Sequence, residues 1–145
     1  MRIVLQRVKE AQVKSGGRRR GEIKQGFCLL VGIEKGDTER EAKYLAEKIS
    51  GLRVFPDRNG KMNLSIQETN GEILAVSQFT LAGSVKKGRR PSFDGAEKPD
   101  KAENLFQFFV QQLRDKNIPT KTGVFGAVME VYLLNDGPVT FILST

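Results

Sequence analysis

The segment Gly26-Phe27-Cys28-Leu29-Leu30-Val31-Gly32-Ile33 contains no charged residue and is punctuated by glycines. A continuous apolar run of this length is too short for a membrane span, which needs roughly 18 residues, and it lacks the alternation of a half-exposed strand. It reads as a fully buried strand. Ile73-Leu74-Ala75-Val76 reads as a second. Buried strands need layers to cover them, and two helices are there to do it. Thr38-Glu39-Arg40-Glu41 has capping-box spacing, and Ala42, Leu45, Ala46 and Ile49 follow at helical intervals until Gly51. Pro99 suits a first helical turn, and Ala102, Leu105, Phe106, Phe109, Val110 and Leu113 form the next apolar stripe. The remaining segments are shorter. Ile3–Val8, Ala11–Val13, Leu52–Phe55, Val128–Leu134 and Val139–Leu143 read as strands, with a loop or hairpin tip over Lys14–Gly21 and a turn at Pro56–Gly60. The expectation is an α/β (mixed α+β) fold: one compact domain over residues 1–145, with a mostly antiparallel sheet and two main helices.

Composition narrows the chemistry. There is no histidine, so Ser-His-Asp and Cys-His catalysis are excluded, as are zinc sites that depend on imidazole. Proton transfer must fall to carboxylates, lysine, hydroxyls, water or the substrate itself. The single cysteine, Cys28, lies in the buried run, so no disulfide framework exists within the chain and its thiol reads as structural. MRIVLQRVKE lacks the apolar segment of a signal peptide, and a cytoplasmic location is expected. The net charge of +7 points to a polyanionic partner, most simply nucleic acid.

Three constellations could carry function, each with an ordinary alternative. Ser77-Gln78-Phe79-Thr80 follows an apolar strand, so a rigid element would hold hydrogen-bonding side chains still; equally, those hydroxyls could serve the adjoining turn. Lys86, Lys87, Arg89 and Arg90 could contact nucleic-acid phosphates or form a solvated loop, and Arg18-Arg19-Arg20 carries the same two readings. Gly137-Pro138 sits between two apolar strands, where a plain turn is sufficient explanation. Ser15-Gly16-Gly17 is not a phosphate loop, Gly123–Gly126 is not a dinucleotide fingerprint, and no cofactor or metal is implied.

Taken together, these segments resemble the D-aminoacyl-tRNA deacylase family. Its two signatures, SQFTL and NxGPVT, are similar to Ser77–Leu81 and Asn135–Thr140, with further likeness at Ile3–Val8, Gly60–Leu64, Lys87–Phe93 and Thr122–Ala127. The resemblance implies an ester hydrolase acting on tRNA that carries a D-amino acid or glycine. It implies a homodimer in which the Gly137-Pro138 bond is cis and enters the partner's site. The Gly137 and Pro138 carbonyls would face the α-amino group and exclude an L side chain. Ser77, Gln78, Phe79 and Thr80 would surround the ester and terminal adenosine, backbone N–H groups of Phe79 or Thr80 would stabilise an oxyanion, and Met129 would line the adenosine pocket. Val128 stands where the family usually has an acidic residue. Without histidine, the tRNA's terminal 2′-OH is one available proton acceptor and Thr80 the competing nucleophile. A non-catalytic RNA-binding module and an editor of L-aminoacyl-tRNA are the alternatives.

Overall fold

The computed structural model describes residues 1–145. In chain order the elements are β1 (Arg2–Ser15), β2 (Arg18–Ile23), β3 (Gly26–Gly32), α1 (Glu39–Gly51), β4 (Phe55–Pro56), β5 (Met62–Leu64), β6 (Glu72–Ser77), a 3-10 turn (Phe79–Ala82), α2 (Pro99–Arg114), β7 (Thr120–Thr122) and β8 (Glu130–Ser144). The main sheet runs β2-β1-β3-β6-β7, with β8 on the other side of β1. β1 pairs antiparallel with β2, β3 and β8, whereas β3–β6 and β6–β7 are parallel. The sheet is therefore mixed. Connections containing α1 and α2 carry the chain from β3 to β6 and from β6 to β7, and such crossovers return a strand in the same direction.

β3 explains itself through its neighbours. Phe27, Leu29 and Val31 face a core of 24 buried residues that includes Ile3, Leu5, Ile73 and Ala75 with Leu45, Ile49, Phe106 and Phe109 of the two helices. Cys28 faces the other way, into a core of seven that also contains Val8, Ala11, Val13, Ile23, Leu74 and Val76. The far half of β1, with β2, curls over that side and gives the sheet a partly barrel-like form. A strand with a core on each face has no solvent side, which is why its sequence does not alternate. Burial pushes the Cys28 thiol up to about 12, so it is neutral at physiological pH.

Helix starts follow their local chemistry. Thr38 Oγ1 accepts the Arg40 N–H at 3.3 Å, and the Glu41 carboxylate accepts the Thr38 N–H at 2.9 Å. Pro99 opens α2. Several boundaries differ from expectation. The two short strands before residue 14 are one strand bent at register shifts near Val8 and Val13, so its pairing partners change along its length. Only Gly16-Gly17 turn at the hairpin tip, and Arg18–Arg20 are exposed strand residues. Of Leu52–Phe55, only Phe55 is strand, paired with Leu64. The Asp57 carboxylate gathers the Asn59 and Lys61 amides into the turn that sets this register. No helix is long and apolar enough to cross a membrane.

Candidate active site

The site begins where β6 leaves the sheet. Ser77 is opposite Val31, and the next amide, Gln78 N–H, donates to the Val31 carbonyl at 2.8 Å. The chain then tightens into the 3-10 turn, closed by Leu81 N–H to the Gln78 carbonyl at 3.2 Å and Gly83 N–H to the Thr80 carbonyl at 3.0 Å. That turn lies on Gly32. A Cβ there would fall 2.9 Å from Leu81 Cβ and 3.0 Å from the Gln78 carbonyl oxygen, so this close approach requires glycine. Arg2 adds an outer clamp by donating to the Leu81 carbonyl at 3.0 Å. Since the first hydrogen bond of the turn belongs to Leu81, the Phe79 and Thr80 amides ahead of it have no partner within the turn.

A cleft of about 460 Å³ is lined by Ser77, Gln78 and Phe79 at the end of β6, by Phe125, Gly126, Ala127 and Met129 ahead of β8, and by Pro99 and Ala102 of α2. This volume suits a small-molecule or nucleoside site. Thr80 stands just outside, exposed, its hydroxyl accepting a hydrogen bond from Gln78 Nε2. Val128 is 92% exposed beside Met129 and does not line the cleft. One lining carboxylate, Glu97, escaped the sequence reading. Lys101 Nζ donates to it at 2.7 Å and the Lys98 amide at 2.9 Å. These contacts, Lys101 first, hold its carboxyl below the ordinary range, leaving an ionised and weakly basic group. The cleft thus offers apolar walls with Ser77, Gln78 and Glu97 as its polar lining residues, and no strong general base of its own. No group of histidine, cysteine and acidic side chains is arranged to hold a metal.

Gly137 and Pro138 are exposed and lie outside this cleft. Their peptide bond is cis, as the sequence resemblance implied. The β1–β8 register jumps from Gln6↔Thr140 to Val8↔Asn135, so residues 136–139 bulge opposite Arg7. Asn135 Oδ1 accepts the Val139 N–H at 2.8 Å across the bulge, and Asn135 Nδ2 donates to Thr140 Oγ1 at 3.2 Å. Arg7, 8% exposed, supports it from below. Its Nε donates to the Asp136 carbonyl at 3.0 Å and lies 3.3 Å from the Asp136 carboxylate, while a terminal nitrogen donates to the Val54 carbonyl at 2.5 Å. Arg7 is the second residue that sequence reading missed, although a signal existed: strand alternation places it on the face of Ile3 and Leu5.

Lys86, Lys87, Arg89 and Arg90 are exposed in a loop whose base is tied by reciprocal Ser84–Ser92 backbone hydrogen bonds of 2.7 and 2.9 Å. None of the four takes part in an ion pair. Arg19, by contrast, is paired with Glu22.

Comparison with known proteins meets this geometry. The family described as D-Tyr-tRNA(Tyr) deacylase matches residues 4–144. A D-aminoacyl-tRNA deacylase of Geobacter sulfurreducens is 59% identical over 145 residues, covering 100% of this chain and 95% of that protein. One from Bacillus cytotoxicus is 54% identical, covering 100% and 99%. Among solved structures, a c-Myc DNA Unwinding Element Binding Protein superposes with a TM-score of 0.94 at 43% identity, covering 100% and 99%. A probable eukaryotic D-amino acid tRNA deacylase shares the fold, with a TM-score of 0.79 at 17% identity and coverage of 98% and 97%. The chain belongs to the D-Tyr-tRNA(Tyr) deacylase family.

Proposed function

We propose that the protein hydrolyses the ester of D-aminoacyl-tRNA, and of mischarged glycyl-tRNA, releasing the free amino acid and tRNA in the cytoplasm. The observation that carries this reading is the cleft of about 460 Å³ at the end of β6, lined by Ser77, Gln78 and Phe79, in a chain of this family. The terminal adenosine occupies the Phe125–Met129 side, and the ester lies against Ser77–Thr80. Water attacks the ester carbonyl, the Phe79 or Thr80 amide stabilises the oxyanion, and the bond to the ribose 3′ oxygen breaks. The RNA's own 2′-OH assists the proton transfer, since Glu97 is a weak base and histidine is absent. Thr80 positions rather than attacks: its oxygen is already engaged by Gln78.

Chirality is read by a second subunit. β8 pairs only with β1 and leaves its outer edge open, while Tyr132, Leu134, Phe141 and Ile142 are 47, 52, 37 and 74% exposed along it. Such an edge and apolar surface favour association with a second copy. In the homodimer the Gly137 and Pro138 carbonyls of one subunit face the α-amino group in the other's cleft and leave no space for an L side chain. Lys86, Lys87, Arg89 and Arg90 neutralise tRNA phosphates.

The test is to follow D-tyrosyl-tRNA and L-tyrosyl-tRNA under single-turnover conditions. Selective loss of the D-ester supports the deacylase. Binding without loss of either ester would make the protein a nucleic-acid-binding module, which its charge alone would suit. Preferential loss of the L-ester would make it an editor of the opposite hand.

A further inference from the structure

Three of the nine phenylalanines are exposed, and two of these, Phe79 at 60% and Phe93 at 40%, touch each other at the cleft rim. Their ring centroids are 5.1 Å apart with an interplanar angle of 62°, an edge-on contact that leaves ring face open to solvent. Phe79 opens the 3-10 turn. Phe93 lies directly on the chain at Gly83, where a Cβ would meet its Cε1 at 2.9 Å. The Ser84–Ser92 pairing immediately precedes Phe93 and ties off the loop carrying Lys86, Lys87, Arg89 and Arg90. An exposed, mutually braced aromatic pair beside unpaired cations has the two components of single-stranded nucleic acid recognition: a π-face for a base and positive charge for its phosphate.

We infer that Phe93, braced by Phe79, is a stacking platform for a base in the unpaired RNA just before the terminal adenosine. This rests on the proposed function and specifies which further part of that substrate the protein grips. The adenosine and ester remain in the cleft, and the preceding nucleotide crosses the rim onto Phe93, its phosphate directed towards the basic loop. An apolar pair serving only to brace the turn would affect every substrate alike. A platform distinguishes long substrates from truncated ones.

The experiment compares D-tyrosyl-tRNA with 3′-O-D-tyrosyl-adenosine in the wild type, Phe93→Leu and Phe93→Trp. Phe93→Leu should raise KM for the tRNA about tenfold, within the range of base–aromatic stacking, without raising KM for the truncated ester; Phe93→Trp should restore tRNA KM. A second readout uses a short RNA with 2-aminopurine just before a 3′-terminal adenosine, whose fluorescence should be quenched by the wild type and not by Phe93→Leu. Equal KM increases on both substrates, or no increase on either, would overturn the platform. If the wild type hydrolyses neither ester, the functional reading falls, and the fluorescence decides the platform by itself. Quenching lost in Phe93→Leu supports it, whereas quenching that is absent or unchanged in the variant rejects it.

Discussion

Replacing Arg7 with methionine keeps much of the aliphatic stem and removes the cation beneath the Gly137-Pro138 bulge. The variant loses donations to the Asp136 and Val54 carbonyls, at 3.0 and 2.5 Å, and the nearby charge of the Asp136 carboxylate. Hydrogen bonds from charged groups contribute about 1.5–3 kcal/mol each. Asp136 retains 27% side-chain exposure, so water recovers part of its loss, whereas Val54 is only 5% exposed. A net destabilisation of about 3 kcal/mol follows. For a chain of this length, that lowers Tm by about 6–12 °C. The assay is thermal and urea unfolding at fixed protein concentration, followed by circular dichroism, for Arg7→Met, Asp136→Asn and the double variant. The pair should couple by about 1–2 kcal/mol. The functional consequence is looser chirality: in Arg7→Met, hydrolysis of L-tyrosyl-tRNA should rise relative to the D-ester. A loss below about 1 kcal/mol, with additive double-variant energies, would refute the claim that Arg7 holds the bulge.

Thr80→Ala should retain substantial deacylation, and D-tyrosyl-tRNA ending in 2′-deoxyadenosine should react poorly; near-complete loss of single-turnover activity in a folded Thr80→Ala would make the hydroxyl essential. Neutralising Lys86, Lys87, Arg89 and Arg90 should weaken tRNA binding and flatten its salt dependence, and binding that is unchanged from low to high salt would return the loop to solvent. The Glu41 carboxyl is held down at about 2, first by its hydrogen bond with Thr38 and then by Arg40. A depressed folded-state pKa gives stability that is present above the unfolded value near ~4.3 and lost as pH falls towards 2. Glu41→Gln should therefore flatten the acid limb of the stability profile between about pH 4.5 and 2, and a limb identical to wild type would exclude Glu41 from it.

Much of the fold was legible because local rules agreed with tertiary packing. Thr38 to Glu41 cap a helix as their spacing predicts, and the uniform apolar character of β3 reflects the core on each face. What escaped depended on partners distant in sequence. The bends of β1 arise from its changing register with β2 and β8, which no window of residues encodes. The two parallel pairings follow from where α1 and α2 return the chain. Ser77–Phe79 were identifiable as the end of a buried strand, and Met129 through the family resemblance. Glu97 gave no signal, since its place in the cleft depends on the approach of α2 to β6. Arg7 gave a quiet one: an arginine where alternation demands a core residue needs hydrogen-bond acceptors, and Asp136 lies 129 positions away.

Completion of each cleft by the partner's Gly137-Pro138 turn is tested most directly by subunit mixing. Ala127→Trp fills the cleft. Gly137→Ala places a Cβ 2.5 Å from the Val139 nitrogen at a backbone φ of +150°, so the turn must shift. Each variant alone should fail to hydrolyse D-tyrosyl-tRNA. After unfolding and refolding together in equal amounts, half the dimers should be mixed, each with one cleft and one turn intact on opposite subunits, and about a quarter of wild-type activity should return. Activity that stays absent in mixtures shown to contain the mixed dimer would contradict a site shared between subunits.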